Sequence, residues 1–373
     1  MGNSLILSVA GSGKTHGIAN YCASVVRSRR ILVLTFTRAN QLEVATRLRR
    51  LAPNHEAVEV VGWYTFLLRD FVRPFIPFKF PARRVLGFNF DGRPHRYATG
   101  HARFMDKSGA VYACELARLA SELVGQSGGA LLRRLQCLYD EIVIDEVQDL
   151  SGHDWDILDE LLPSTLDLRL VGDLRQAVLS TNPRSSKNKK YANASAVHYF
   201  RERASRGELT IEEQNVTRRC HPLIARFSDS IFAPSFGFAE TQSMNQRTTE
   251  HDGVFLLSEE HVDAYRKRFM PRCLRHSASS GKAFDLDYCN FKQVKGLTFE
   301  RVLIIPTSGI AHFLRKGKFL PAGPASAFYV AVTRAAQSVA IVLDKPGACT
   351  LPQWSPIASC PKTKSPSDHA APR

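Results

Sequence analysis

The sequence has 373 residues, of which 44% are hydrophobic and 23% charged, an ordinary composition for a folded globular protein. It excludes a wholly disordered or collagen-like chain, and no uninterrupted apolar stretch is long enough to span a membrane. The 50 lysines and arginines exceed the 35 acidic residues by 15, which favours a polyanionic partner such as nucleic acid, although a basic surface kept for solubility has the same charge.

The cysteines and the N-terminal residues predict a cytoplasmic location. The eight cysteines form no C-x-x-C pair and no zinc-site spacing, so we expect reduced thiols. The apolar run at residues 5–10 has no basic region before it, so we expect no secretory signal.

In the first part of the chain, short apolar runs rich in β-branched residues alternate with amphipathic stretches at residues 16–27 and 39–51. This alternation predicts buried parallel strands connected by helices. The predicted strands are residues 5–9, 31–35, 58–61, 142–145 and 168–171.

A second set of strands is predicted at residues 209–212, 254–257, 302–306 and 339–343, with helices near 222–232 and 325–336. We therefore expect two α/β domains, over residues 1–200 and 201–345. A stretch rich in Pro, Phe, Arg and Gly predicts a short insertion at about 73–130 in the first domain. Residues 346–373 are rich in Pro, Ser and Lys, and we expect a disordered tail there.

Residues 8–15 (SVAGSGKT) follow a predicted strand and precede a predicted helix, which is the context of a phosphate-binding loop. Backbone N–H groups of small residues surround phosphate oxygens in such loops, and the helix N-terminus adds positive charge. A turn that only caps the helix is the plainer alternative. The motif predicts an ATP site with Mg²⁺ in which Lys14 reaches the β- and γ-phosphates and Thr15 holds the metal. The predicted phosphate-binding residues are Ala10, Gly11, Ser12, Gly13, Lys14 and Thr15.

Residues 142–149 (IVIDEVQD) place two adjacent carboxylates at the end of a buried strand, where ligands bind in open α/β sheets. Asp145 is predicted to hold Mg²⁺, and Glu146 to orient or deprotonate the attacking water. A strand that simply leads into an acidic helix N-terminus is the alternative.

Three further side chains are candidates for contact with the γ-phosphate. Gln176 follows another predicted strand and is a neutral donor, although turn chemistry also explains the Gly-Asp pair before it. Arg219 and Arg334 lie in the second predicted domain, and an arginine supplied from there can stabilise charge on the transferred phosphoryl group. Because arginine is common in this chain, a solvated surface position is the alternative for each.

These motifs, in this order, resemble those of superfamily 1A helicases of the UvrD/Rep type, from Leu5 to about Asp344. DEVQD at 145–149, KGLTF at 295–299 and YVAVTRA at 329–335 carry most of the resemblance. It implies two RecA-like P-loop NTPase domains with parallel sheets, with ATP bound in the cleft between them. It also implies that hydrolysis moves single-stranded DNA, with Arg334 as the arginine finger and Arg219 on the γ-phosphate.

Three segments of that family that touch nucleic acid correspond to residues 34–39, 62–66 and 293–299 here. For the aromatic residues of the second segment, packing in the core is the alternative. The nucleic-acid contacts implied by the resemblance are Thr37, Arg38, Trp63, Tyr64 and Lys295.

The chain also departs from the family pattern. Residues 177–182 contain no aromatic side chain where the family stacks bases, only seven residues precede the phosphate loop, and the second domain has no large insertion. Because stacking contributes about 1–3 kcal/mol per base, we expect a weak grip on single strands. These departures from the family pattern predict a protein that has the core of the motor with reduced insertions.

Residues 63–77 resemble short UvrD-like proteins of bacterial anti-phage systems, such as the helicase-like subunit of Gabija, which works beside an OLD-type nuclease. We therefore expect an ATP-dependent helicase or translocase acting on single-stranded or tailed DNA, in a defence complex with such a nuclease. The alternative is a non-processive ATPase subunit that senses nucleotide or DNA and regulates a nuclease. A metabolic kinase is disfavoured because it has no use for Arg334.

Overall fold

The computed structural model describes residues 2–53 and 55–356, and within these ranges it contains two six-stranded parallel sheets. In chain order the strands are β1 (Ser4–Ser8), β2 (Ile31–Thr35), β3 (Val58–Gly62), β4 (Gly87–Asn89), β5 (Ala110–Tyr112), β6 (Glu141–Ile144), β7 (Asp167–Gly172), β8 (Thr210–Gln214), β9 (Val216–Thr217), β10 (Gln242–Ser243), β11 (Gly253–Leu257), β12 (Arg272–Arg275), β13 (Tyr288–Asn290), β14 (Phe299–Ile304), β15 (Ala335–Val342) and β16 (Gln353–Trp354).

The α-helices connect these strands, and a π-helical segment, Leu67–Val72, joins α3 to α4. The helices are α1 (Lys14–Ser24), α2 (Arg38–Leu51), α3 (Trp63–Phe66), α4 (Arg73–Lys79), α5 (Ala113–Gln126), α6 (Ala130–Leu138), α7 (Asp154–Leu161), α8 (Ala196–Ser205), α9 (Pro222–Asp229), α10 (Val262–Phe269), α11 (Ser308–Lys316) and α12 (Ala322–Val332).

The first sheet has the strand order β3-β2-β6-β7-β1-β8, with every neighbouring pair parallel. Successive side chains of a strand point to opposite faces, so Leu32 and Leu34 enter the core under α5 to α8. Ile31 and Val33 enter the opposite core layer under α1 and α2. Helices therefore cover both faces of this sheet.

The second sheet has the order β13-β12-β14-β15-β11-β16 and is also parallel throughout. Val302 and Ile304 pack under α9, α11 and α12, whereas Leu303 packs with α10 on the other face. The predicted fold class, two RecA-like α/β units with parallel sheets, is confirmed. We call residues 4–214 the first unit and residues 215–356 the second unit.

One predicted strand belongs to a different sheet from the one expected. Residues 209–212 were expected to open the second domain, but β8 lies at the edge of the first sheet, with Ile211 opposite Leu5 of β1. That prediction is wrong, because a short edge strand contains no signal for the sheet it will join. The chain enters the second sheet only at β11, and the domain limits at 200 and 345 stay a prediction.

The expected disorder from residue 346 onward is wrong for residues 346–356. There β16 pairs with β11, and the Trp354 ring packs at 5.1 Å from Tyr265 and 5.8 Å from Phe269. A large aromatic ring supplies the apolar burial that the Pro- and Ser-rich composition concealed. The rest of the predicted tail, residues 357–373, lies outside the described residues.

The predicted insertion at about 73–130 forms α4, a two-stranded sheet of β4 and β5, and α5. Leu116 and Leu119 of α5 are fully buried in the same core layer as Phe66 and Phe71. The insertion is therefore packed onto the first unit.

Candidate nucleotide-binding site

The predicted phosphate loop connects β1 to α1 and contacts the second unit. Gly11 and Gly13 have φ angles of +77° and +90°, which glycine adopts without strain. A Cβ at Gly11 would lie 2.6 Å from Cβ of Arg219 and 2.7 Å from Oγ1 of Thr217. Glycine at position 11 therefore allows the loop to approach the second unit closely.

Four of the six predicted loop residues line a cleft of about 1000 Å³ between the units: Gly11, Gly13, Lys14 and Thr15. Ala10 is buried, and its N–H donates to the hydroxyl of Tyr329 at 3.3 Å. Ser12 has a buried hydroxyl with no protein partner among the described residues. Most of the predicted loop therefore faces the cleft, and Ala10 anchors it to α12.

The two adjacent carboxylates follow β6 and differ strongly in environment. Asp145 is 1% exposed, and burial together with the neighbouring Glu146 charge raises its pKa to about 7. For Glu146, burial raises the pKa, but Lys295 and Lys14 outweigh it and hold the pKa at about 2. Glu146 therefore stays ionised at the base of the cleft.

Lys295 brings a second-unit cation to these carboxylates. Its Nζ lies 2.8 Å from Oδ2 of Asp149 and 3.2 Å from Oε2 of Glu146. Burial lowers the pKa of Lys295, but the two carboxylates outweigh this and raise it. In this conformation the Lys295 side chain is ion-paired inside the cleft, and its contact with nucleic acid stays a prediction.

The predicted γ-phosphate residues meet across the same cleft. Nη2 of Arg334 donates to Oε1 of Gln176 at 2.7 Å, and Nε2 of Gln176 donates to Oδ2 of Asp173 at 2.6 Å. Nη1 of Arg219 donates to the carbonyl of Thr333 at 3.1 Å. Burial and the adjacent Arg219 lower the pKa of Arg334 to about 9. Arg219, Arg334 and Gln176 all line the cleft with Lys14 and Glu146.

Two side chains that sequence reasoning did not single out hold the site together. Tyr329 is 1% exposed, and its hydroxyl lies 3.5 Å from Oδ2 of Asp173 while it accepts from Ala10. Gln148 donates to Glu146 and accepts from the backbone N–H of Asp173 at 3.1 Å. Both lie in the motifs described for the sequence, but Tyr329 contacts partners 319 and 156 positions away, and Gln148 contacts Asp173 just after the next strand, β7.

The remaining predicted nucleic-acid residues occupy three different environments. Oγ1 of Thr37 caps α2 by accepting from Asn40 N–H at 3.1 Å, and Thr37 lines the cleft, while Arg38 is exposed. Trp63 is 1% exposed and donates to Asp154 at 2.8 Å. The prediction that Trp63 contacts nucleic acid is therefore wrong, because its ring belongs to the core.

Tyr64 is half-buried, and its hydroxyl donates to the carbonyl of Thr181 at 2.6 Å. Its ring meets Phe88 and Phe90 edge-on, at centroid distances of 6.4 and 5.7 Å. Burial raises the pKa of Tyr64 to about 12, so it stays a neutral donor. Its role in nucleic-acid contact stays a prediction.

The match to a known protein family lies in the first unit. A family described as an AAA domain matches residues 1–182, which is 182 of 373 positions and just under half of the chain. A comparison with functionally curated proteins found no match.

Three solved helicase structures resemble the chain. Arterivirus nonstructural protein 10 (helicase) has 15% identity and a TM-score of 0.45, covering 91% of this chain and 59% of that one. The same viral protein in complex with DNA has 15% identity and a TM-score of 0.45, covering 91% and 61%. The helicase of PRRSV has 14% identity and a TM-score of 0.43, covering 92% and 52%. The chain therefore spans between 52% and 61% of the length of these helicases.

Residues 2–53 and 55–356 contain neither a membrane-spanning helix nor a cluster of metal-ligating side chains. No helix there is long and apolar enough to cross a membrane, and no group of three His, Cys, Asp or Glu side chains could hold a metal ion by itself. The cysteines in these ranges are all free thiols.

Proposed function

We propose that this protein is an ATP-dependent motor that moves along single-stranded DNA, with the core of a superfamily 1A helicase. One observation carries the proposal: Lys14 and Glu146 of the first unit share a cleft with Arg219 and Arg334 of the second. An arginine that completes a phosphate site from another unit makes hydrolysis depend on how the two units dock.

The residues of the cleft fit Mg²⁺ and a triphosphate. Oδ2 of Asp145 is buried and has no hydrogen-bond donor among the described residues, which is the environment of a cation ligand. The positive-φ glycines leave backbone N–H groups free of side-chain obstruction. Asp145 and the Thr15 hydroxyl would hold Mg²⁺, which neutralises charge on the phosphates when bound.

The other side chains then have separable roles. Lys14 binds the β- and γ-phosphates, and the ionised Glu146 orients or deprotonates the water that attacks the γ-phosphorus. Arg334 and Arg219 stabilise the charge that develops on the transferred group. Gln176 holds Arg334 in the cleft and reports the state of the γ-phosphate to residues 177–182.

The direct test is the rate of ATP hydrolysis with and without a single-stranded oligonucleotide. The proposal predicts many-fold stimulation by the strand and displacement of the complementary strand from a tailed duplex. Equal rates in the presence and absence of DNA contradict it. Comparing oligodeoxythymidine with oligouridine identifies the track as DNA or RNA.

The second candidate is a non-processive ATPase that senses nucleotide or DNA and regulates a partner nuclease. It is favoured by residues 177–182, which offer no aromatic ring to a base and of which Ala177 and Val178 are buried. A sensor hydrolyses ATP in response to DNA but displaces no strand, so the tailed-duplex assay separates the two candidates.

We propose a cytoplasmic defence complex as the setting, with an OLD-type nuclease as partner. The support is the resemblance of residues 63–77 to helicase-like subunits of bacterial anti-phage systems. A nuclease gene next to the gene for this protein, and co-purification of the two products, would support this setting. Independent migration of the co-expressed products in size-exclusion chromatography would contradict it.

A further inference from the structure

The predicted insertion contains much of the positive charge of the chain. Residues 73–103 contain seven Lys or Arg residues and a single acidic one, Asp91. Their net charge is 7 − 1 = +6, out of +15 for the whole chain. This concentration of charge on one segment favours a polyanion as its partner.

Several of these arginine side chains are exposed to solvent and are not used in ion pairs among the described residues. Among the described residues, no ion pair involves Arg83, Arg84, Arg93 or Arg96, and all four are exposed. Elsewhere in the chain, by contrast, arginines such as Arg29 and Arg203 are each paired with two carboxylates. The four guanidinium groups can therefore bind external phosphates without breaking an internal ion pair.

The same segment exposes large aromatic rings. Phe90 is 63% exposed and Tyr97 is 74% exposed, and the guanidinium of Arg96 lies over the Tyr97 ring at 5.5 Å. Phe90 is held by Phe88 at 5.3 Å and by Tyr64 at 5.7 Å. A ring that is fixed by neighbouring rings and remains mostly exposed offers apolar surface to an unpaired base.

The position of Phe90 connects it to the nucleotide cleft. Tyr64, on which Phe90 rests, donates to the carbonyl of Thr181, five residues after Gln176. Gln176 is hydrogen-bonded to Arg334 in the cleft. The backbone from Gln176 to Thr181, with the contacts at its two ends, therefore joins the γ-phosphate side of the cleft to the exposed ring of Phe90.

We infer that Phe90 stacks on a base of single-stranded nucleic acid and that Arg93 and Arg96 neutralise phosphates of the same strand. This rests on the proposed function and deepens it, because it assigns the stacking role to the insertion, whereas residues 177–182 have no aromatic ring. The alternative is that a protein binds the same surface, and the test must distinguish a protein partner from a nucleic-acid strand.

The test is the affinity for fluorescein-labelled oligodeoxythymidine, measured by fluorescence anisotropy. Phe90→Ala is expected to weaken binding about 5-fold to 150-fold, the effect of one lost base–aromatic stack. Phe90→Trp is expected to bind at least as tightly as wild type, and Phe90→Leu as weakly as Phe90→Ala. Phe319→Ala, which removes a phenylalanine that is 44% exposed on the second unit, is the matched control and is expected to leave affinity unchanged.

The arginines are tested by the salt dependence of the same binding. Replacing Arg93 and Arg96 by Gln is expected to reduce the slope of log affinity against log salt by about 0.7 for each lost phosphate contact. Thermal unfolding of each variant verifies that the fold is intact.

The outcomes distinguish this inference from the proposed function. Wild-type affinity in Phe90→Ala and Phe90→Leu would overturn the stacking role while leaving the motor intact, and would leave the surface to a protein partner. An unchanged salt slope in the double arginine variant would overturn the phosphate contacts. A wild-type protein that binds no single strand contradicts the proposed function itself.

Discussion

Arg334 of the second unit donates a hydrogen bond of 2.7 Å to Gln176 of the first. Both side chains are buried, with exposures of 1% and 5%. A guanidinium is strongly hydrated in water, so its burial requires charged or polar partners. Here the partners are one amide, two backbone carbonyls and the Thr333 hydroxyl, so among the described residues Arg334 has no anionic partner. The site is therefore electrostatically prepared for an anion.

Arg334→Ala is expected to reduce the rate of ATP hydrolysis by about 10³-fold or more, because arginine fingers contribute roughly 10³–10⁵. Nucleotide affinity should fall much less than the rate. The measurement is steady-state phosphate release together with equilibrium binding of a fluorescent ATP analogue. Arg266→Ala, at an exposed position on the same unit, is the matched control, and a near-normal rate in Arg334→Ala would show that the second unit does not complete the site.

Glu146→Gln is expected to bind ATP and fail to hydrolyse it, because the amide preserves the shape of the side chain but cannot accept the proton of the attacking water. Lys14→Ala is expected to lose turnover as well, through the loss of phosphate binding. Filter binding of labelled ATP followed by product analysis distinguishes the two. Wild-type turnover in either variant would contradict the assignment of these residues.

Gly11→Ala is expected to impair nucleotide binding with little loss of secondary structure. The added Cβ is strained at a φ of +77° and would collide with Arg219 and Thr217, at 2.6 and 2.7 Å. Gly17→Ala is the matched control, since a Cβ there meets nothing within 4 Å and alanine favours the helix. Equal nucleotide affinities in the two variants would contradict the close packing of the phosphate loop on the second unit.

Lys295 is expected to be coupled strongly to Asp149. Breaking one partner of a buried ion pair costs about 3–5 kcal/mol, so Lys295→Met and Asp149→Asn should each destabilise the protein, and the double variant by less than their sum. Urea unfolding of the four proteins of this double-mutant cycle measures the coupling. Strict additivity would mean that the ion pair is absent in solution.

Because His251 is buried, we expect the free energy of unfolding to fall in acid. It is stacked between Phe255 and Phe269, at 4.0 and 4.1 Å. Burial, helped by Arg301 and Arg268, lowers its pKa to about 4. The unfolded chain protonates this histidine near pH 6.5, so the stabilisation is complete above that pH and is lost as pH falls toward 4. The expected loss is about 3 kcal/mol.

The measurement is the free energy of unfolding from pH 7 to pH 4. His251→Phe is expected to show a shallower fall than wild type over this interval, because the variant has no group to protonate there. His312→Phe, at an exposed site, should follow wild type. Parallel curves for wild type and His251→Phe would contradict the neutral state of the buried ring.

The parts of the site that local sequence determines were predictable. A strand, a turn of small residues with φ above zero and a helix that begins at Lys14 are all encoded within residues 4–24, so this strand–loop–helix could be located directly, and its binding of phosphate stays a prediction. The same holds for Asp145 and Glu146 at the end of β6. The central strands were predictable for a similar reason, because their apolar runs are buried on both faces.

The errors and omissions arose where a residue depends on distant partners. Trp63 resembles a nucleic-acid contact by motif, but its indole donates to Asp154, 91 residues away. Lys295 pairs with Asp149 across 146 residues, and β8 joins a strand about 206 positions earlier, at Leu5 and Ile211. The residues next to a position in the sequence do not show whether its side chain is buried or which distant residue it pairs with. The contacts of Tyr329 with Ala10 and Asp173 could not be predicted for the same reason.

A crystal structure with Mg²⁺ and a slowly hydrolysed ATP analogue would show whether both units contact one triphosphate. We expect Lys14 Nζ and the Arg334 guanidinium both within hydrogen-bonding distance of the γ-phosphate, with Glu146 released from Lys295 toward the attacking water. An analogue bound by Lys14 alone, with Arg334 still on Gln176 and remote from every phosphate oxygen, would contradict this expectation.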